Sequence, residues 1–262
     1  GPDAFADVGV AYDNASLAIA AFERSDNVNK FSSKFDKFVA EQGGDVSTFG
    51  VEVQTGGFRK YVGPPEGFKS KVYSYDEADG LAIFNADSYT QMKLSQAGQN
   101  GGMCYLCHLT TNHVVEANDP NRPANGPAPG IYSPILTDFT FDNLGIPVNP
   151  RIAELAGPQD TDLGLGGQVA QLEAACPSCD PVKEEGKFRV QSLRNLSRTA
   201  PYGHNGFFAT IHEIVRFYNT RDVEDWPDPE VPGTVNTDEL GNLGLTLKQE
   251  QKLVLFLETL ND

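Results

Sequence analysis

Cys104-Tyr105-Leu106-Cys107-His108 sets two thiols three residues apart and an imidazole directly after the second. Thiols at that spacing share one helical turn, where each can add to a vinyl group of the same porphyrin. The histidine that follows then offers its ring to the iron. The chemistry this pattern allows is covalent attachment of one haem c, with His108 as an iron ligand, and through it electron transfer or redox chemistry. Two other uses of paired cysteines fit less well. A thioredoxin-like redox pair needs a βαβ setting that the surrounding sequence does not predict. A zinc site drawing on both cysteine pairs would have to close a loop of roughly 70 residues, against about 15–20 in ordinary zinc motifs.

The second pair, Cys176-Pro177-Ser178-Cys179, repeats the spacing but is followed by Asp180. Without a histidine it predicts no second haem. Haem attachment implies an oxidising compartment, where a short-range Cys176–Cys179 disulfide pinning a loop is expected. A redox-active disulfide and a metal site are the alternatives. The sixth iron ligand is open on residue types alone. High-potential c haems usually take methionine, but Met103 abuts Cys104 and Met92 lies upstream on the same side of the motif. His113, His204, His212 and a tyrosine are the other donors, with His212 expected at the surface.

The elements that must position these residues read as helical. Tyr12 to Arg24 carries an apolar face of Leu17, Ala20, Ala21 and Phe22. Ser32 to Glu41 repeats Phe35 and Phe38 after Phe31. A third helix starts at Asp76 as predicted N-cap and runs through Leu81, Ile83 and Phe84. Segments 109–149 and 157–186 read as irregular, the first holding a Pro- and Gly-rich run over 118–130. Thr210 caps a helix with Ile211, Ile214, Val215 and Tyr218 on one face. Thr246 and Gln249 form a capping box ahead of Leu253, Phe256, Leu257 and Leu260. The expected fold class is all-α, a class I cytochrome c-like haem domain with long irregular loops. The expected division is a helical segment over 1–45 and one haem domain over 46–262.

The chain has 262 residues, with 39% hydrophobic and 21% charged side chains, so a buried core is expected. Its 26 glycines and 17 prolines predict many loops. A net charge of −16 excludes nucleic acid as a partner, because nothing here could neutralise a run of phosphates. An acidic surface suits a basic partner such as an electron-donor cytochrome, and it equally keeps a protein soluble. No stretch approaches the ~20 apolar residues of a membrane span. No signal peptide is recognisable, so the chain reads as mature, processed or a fragment.

Phe188 to Thr210, with Thr199-Ala200-Pro201-Tyr202-Gly203-His204-Asn205-Gly206 within it, and Glu213 to Asn219 strongly resemble the bacterial dihaem cytochrome c peroxidase/MauG family. Ala20 to Arg24, Gly80 to Phe84, Leu136 to Pro147 and Leu243 to Thr246 extend the resemblance along nearly the whole chain. It covers the C-terminal haem domain of that family only. The resemblance therefore implies an electron-relaying domain whose peroxide-reducing haem lies outside this chain, in an N-terminal haem domain or a second subunit. A stand-alone monohaem carrier, a subunit of a larger cytochrome assembly, or a one-haem peroxidase are the competing readings. The location implied is periplasmic or extracellular. Position by position, Tyr218 stands where peroxidases carry a methionine ligand and MauG carries a tyrosine. The carbonyls of Thr199 and Pro201 match a calcium site, His204 a histidine of the haem surroundings, and Arg194 a propionate partner. Asp142 replaces the usual histidine of a Phe-His-Asn motif.

Overall fold

In the computed structural model the described residues are 7–23, 25, 30–94, 100–115, 130–156, 161–171 and 179–262. Their elements follow in chain order. Helices α1 (Val8–Glu23) and α2 (Lys34–Glu41) precede a hairpin of β1 (Val51–Val53) and β2 (Arg59–Tyr61) and helix α3 (Tyr75–Asn85). Then come β3 (His113–Val115), β4 (Gly130–Tyr132), β5 (Phe141–Asp142), α4 (Pro150–Ala156), α5 (Leu165–Gln171) and α6 (Pro181–Glu184). Strand β6 (Phe188–Arg189) and helices α7 (Ile211–Thr220) and α8 (Leu247–Glu258) complete the set.

The all-α expectation is corrected here: the class is mixed. Three two-stranded antiparallel ladders, β1–β2, β3–β4 and β5–β6, interrupt the helices, and β3, β4 and β5 lie within 109–149, which reads as irregular. Strands of two or three residues are too short to show an alternating pattern, so periodicity passes over them. Part of 157–186 is also helical, as α5 and α6. The 118–130 run lies almost entirely outside the described residues.

Capping fixes where the central helices begin. In α2, Ser33 accepts from the backbone of Asp36 while the Asp36 carboxylate accepts from the Ser33 N–H. Reciprocal boxes start α7 at Thr210/Glu213 and α8 at Thr246/Gln249. The α3 box starts two residues before expectation: the helix is capped by Ser74 with Glu77, and Asp76 sits inside the first turn. Both residues are capable caps, and the Ser-x-x-Glu pairing satisfies two N–H groups where Asp76 would satisfy fewer.

The core forms where α3 crosses α8. Phe84 meets Phe256 edge-on at 5.1 Å, and Phe35 of α2 meets the same ring at 5.8 Å. Gly80 lets the helices touch: a Cβ there would lie 2.0 Å from the Lys252 carbonyl oxygen. The predicted apolar face of α1 is largely exposed among the described residues, with Leu17 64% and Phe22 61% exposed and no buried residue in the helix.

Arg194 is an ion-pair residue of this core. Its guanidinium donates to both Asp36 carboxylate oxygens at 2.7 and 2.9 Å and to the Pro134 carbonyl. The two side chains are only 10% and 7% exposed. Burial raises the Asp36 pKa, but the Arg194 and Ser33 hydrogen bonds outweigh it and hold the carboxyl below its ordinary 3.8. A depressed carboxylate stabilises the fold above its unfolded pKa, and that contribution disappears as pH falls below about 3.8. Arg194→Ala would strand Asp36 as an unpaired buried charge and is expected to destabilise by about 3–5 kcal/mol at neutral pH. The deficit should shrink on acidification toward pH 3, as measured by urea unfolding; an equal deficit at both pH values counts against the pairing.

Candidate haem site

The Cys-x-x-Cys-His segment hangs from the C-terminal end of α3. The N–H groups of Gly102 and Met103 donate to the Ile83 and Ala86 carbonyls at 2.8 and 2.9 Å, and Gly101 N–H donates to Asp87 O at 2.8 Å. The Ile83 and Ala86 carbonyls lie in the last turn and cap of α3, where a helix end leaves acceptor capacity free. Met103 takes a left-handed conformation (φ 53°), and Cys104–Leu106 then forms one 3-10 turn, closed by Cys107 N–H to Cys104 O, with His108 N–H donating to the same oxygen at 2.8 Å. Tyr105 is anchored on the side of Asp87 and Arg59: its hydroxyl donates to Asp87 at 2.7 Å, and the Arg59 guanidinium stacks 4.1 Å over its ring.

Cys104, Cys107, His108 and Tyr218 all line one cavity of about 540 Å³. A smaller space of about 80 Å³ adjoins it and shares Cys104, His108 and Tyr218. Leu144, Ile146, Leu193, Leu196, Ile214 and Leu240 give the walls their apolar character. Burial pushes the Cys104 thiol up to about 12 and raises Cys107 further, with Glu239 and Asp142 adding to the effect at Cys107. Neither thiol is ionised at neutral pH, which is the opposite of what a thioredoxin-like nucleophile requires.

His108 Nδ1 lies 2.9 Å from the Leu136 carbonyl oxygen, so that nitrogen carries the proton and donates it. Nε2 is left as the lone-pair nitrogen, the tautomer a metal-ligating histidine takes when its other nitrogen is pinned by a carbonyl. Burial lowers the His108 pKa and keeps the ring neutral, as a ligand must be. Tyr218 comes from the last turn of α7. Its hydroxyl has no hydrogen-bond partner among the described residues, and burial, followed by the nearby Cys107 and Cys104, raises its pKa far above the ordinary tyrosine value. A phenol held this way ionises only when a strong cationic centre meets its oxygen.

The cavity also gathers His204, Asp142, Thr199 and Pro201 from the other expected positions. His204 stacks on Phe188 with ring centres 3.7 Å apart, and its Nε2 is 3.0 Å from Glu230. Neither the Thr199 nor the Pro201 carbonyl accepts a hydrogen bond among the described residues. Arg194 is not on the cavity wall; Asp36 holds it, as described above. His113 lies on β3, Met92 is exposed, and His212 is half exposed on α7. Cys179 is disulfide-bonded, while Cys176 lies outside the described residues. Sequence reasoning passed over Glu239, which sits 3.8 Å from the Cys107 sulfur and shares Asn236 with Asp142. A lone acidic residue in a polar loop carries no signal of that placement.

A Cys-x-x-Cys-His turn opening on an apolar-walled cavity is the class of site found in c-type haem proteins. No family model matches the chain. It is 31% identical over 175 residues to the methylamine utilization protein MauG of Paracoccus denitrificans, a match covering 61% of this chain and 39% of that protein. It is 36% identical over 138 residues to the cytochrome-c peroxidase IdrP1 of Denitromonas iodatirespirans, covering 49% and 35% respectively. The diheme peroxidase BthA of Burkholderia thailandensis shares the fold, with TM-score 0.60, 23% identity, and coverage of 92% of this chain and 49% of that one. The chain thus spans less than half the length of the curated relatives it matches. The similarities are thus to MauG and cytochrome-c peroxidases in sequence and to a diheme peroxidase in fold.

Proposed function

We propose that this chain is a c-type haem redox domain of the MauG and dihaem peroxidase kind. It relays electrons between a donor protein and a peroxide-reducing haem outside the described residues. The observation that carries this reading is the meeting of Cys104, Cys107, His108 and Tyr218 on one apolar cavity. Bound there, haem would supply an iron that changes oxidation state by single electrons.

The chain's own residues would do the rest. Cys104 and Cys107 would hold the group by two thioethers, and His108 would meet the iron through Nε2, its orientation kept by Leu136. The apolar walls exclude water, which strengthens every charge interaction inside. Tyr218 is the proposed second ligand: an anionic oxygen donor favours the ferric state. Asp142 and Glu239 add negative charge beside Cys107, in the same sense. His204 shapes the wall while bound to Glu230.

The net charge of −16 supports a basic donor cytochrome as partner. The bonded Cys179 supports an oxidising compartment, and with it a periplasmic location. Among the described residues no helix is long and apolar enough to cross a membrane.

The test is stopped-flow mixing of the haem-loaded ferric chain with a reduced basic cytochrome, with spectra of wild type and Tyr218→Phe. The expected result is one-electron uptake per haem, a six-coordinate ferric spectrum in the wild type, and an altered spectrum with a higher reduction potential in Tyr218→Phe. A loaded chain that takes no electron from any basic donor refutes the relay role.

A further inference from the structure

We propose that Asn219 and Glu250 are positioning residues that hold Tyr218 at the cavity, an inference resting on the reading of Tyr218 as the second iron ligand. Tyr218 itself makes no side-chain hydrogen bond among the described residues, and its place is set by the last turn of α7. That turn is clasped from outside. The Tyr218 carbonyl accepts from Gly241 N–H at 2.7 Å, and the Asn219 carbonyl accepts from Leu243 N–H at 3.1 Å.

The Asn219 side chain completes the clasp in both directions. Its Oδ1 accepts from Leu245 N–H at 2.9 Å, and its Nδ2 donates to Leu245 O at 2.9 Å and to Glu250 Oε1 at 2.6 Å. Three bonds to a residue 3% exposed leave the amide a single orientation. Glu250 stands in the first turn of α8, with a fully buried carboxylate whose Oε1 also receives Arg216 Nη1 at 3.0 Å. Residues 216 and 219, flanking Tyr218 on the same helix, therefore converge on one oxygen of α8.

The Oε2 atom of Glu250 has no hydrogen bond among the described residues; His212 Nε2 lies 3.9 Å from it, beyond hydrogen-bond reach. A half-satisfied buried carboxylate is a poor way to stabilise a helix pair, since apolar residues of like volume do as well or better. Its geometry suits orienting Asn219, and through Asn219 the backbone that carries Tyr218. Ile214, one turn earlier, lines the cavity beside Tyr218, so a rotation or shift of α7 would move both.

The test compares ferric absorption spectra of haem-loaded wild type, Tyr218→Phe, Asn219→Ala, Glu250→Ala and Glu250→Gln, with far-UV circular dichroism and haem content measured on each. Folded, fully loaded Asn219→Ala and Glu250→Ala should lose most of the spectral feature that Tyr218→Phe abolishes. Glu250→Gln keeps the acceptor oxygen for Asn219 and Arg216 and should retain the wild-type spectrum. A merely structural role would lower the melting temperature and leave the spectrum in place, and that outcome overturns the proposal. An unchanged spectrum in Tyr218→Phe overturns the ligand reading first and this inference with it, so the two failures are distinct. Should Asn219→Ala not accumulate as folded protein, Asn219→Ser, too short to reach both Leu245 and Glu250, is judged by the same spectrum.

Discussion

Replacing both Cys104 and Cys107 by serine is expected to remove covalently held haem completely, while each single serine variant keeps a fraction through one remaining thioether. The prediction follows from geometry and ionisation together. Both sulfurs lie on one 3-10 turn at the cavity wall, and burial keeps both as thiols, the form that adds to a vinyl group without first closing into a disulfide. Serine preserves the turn and removes only the sulfur, so the fold of the motif is retained. Intact mass after acid–organic extraction is the measurement. Haem that stays bound to the double variant through that extraction shows attachment elsewhere and sinks the site assignment. A secondary effect concerns stability. A group tethered at the cavity packs its apolar surface only when the chain is folded, so loaded protein should unfold at higher urea than the double serine variant.

Gly80→Ala is expected to be the most damaging small substitution in the helical core. An added Cβ would lie 2.0 Å from the Lys252 carbonyl oxygen and 2.8 Å from Phe256 Cβ. Neither neighbour is the free end of a flexible chain, so α3 and α8 would have to separate. Separation loosens the Phe84–Phe256 contact and the Lys252–Asp79 ion pair at 2.5 Å. The cost should be roughly 3 kcal/mol or more, at the upper end of overpacking effects. Because the carbonyls ending α3 hold Gly102 and Met103, haem incorporation should fall as well. Gly56→Ala is the contrasting case. Gly56 has a positive φ of 88° but open space around its Cβ position, so only backbone strain of about 1 kcal/mol is expected. Urea unfolding of the two variants decides the matter: equal losses would show that close approach of α3 and α8 is not what Gly80 provides.

What could be read before any coordinates were those features whose cause is local. The Cys-x-x-Cys-His spacing depends on three intervening bonds of chain. The cap at Thr210 and the box at Thr246 depend on one helical turn, and the buried face of α8, with Leu253, Phe256 and Leu257, depends on its 3.6-residue period. Where two local signals competed, as at Ser74 and Asp76, the reading slipped by part of a turn.

Tertiary structure decided what depends on contacts between distant segments. Arg194 reads as a partner for a haem carboxylate, yet it belongs to Asp36, 158 residues earlier in the chain. The face of α1 has helical periodicity, yet no residue of the helix is buried among the described residues. Strands β1 to β6 exist because neighbouring backbones supply hydrogen bonds that segments of two or three residues cannot announce. The Cys-x-x-Cys-His turn came from sequence alone, since its chemistry sits within five residues. The cavity that joins it to Tyr218, Asp142 and Glu239 came from packing, because only folding brings residues 108, 142, 218 and 239 to one wall.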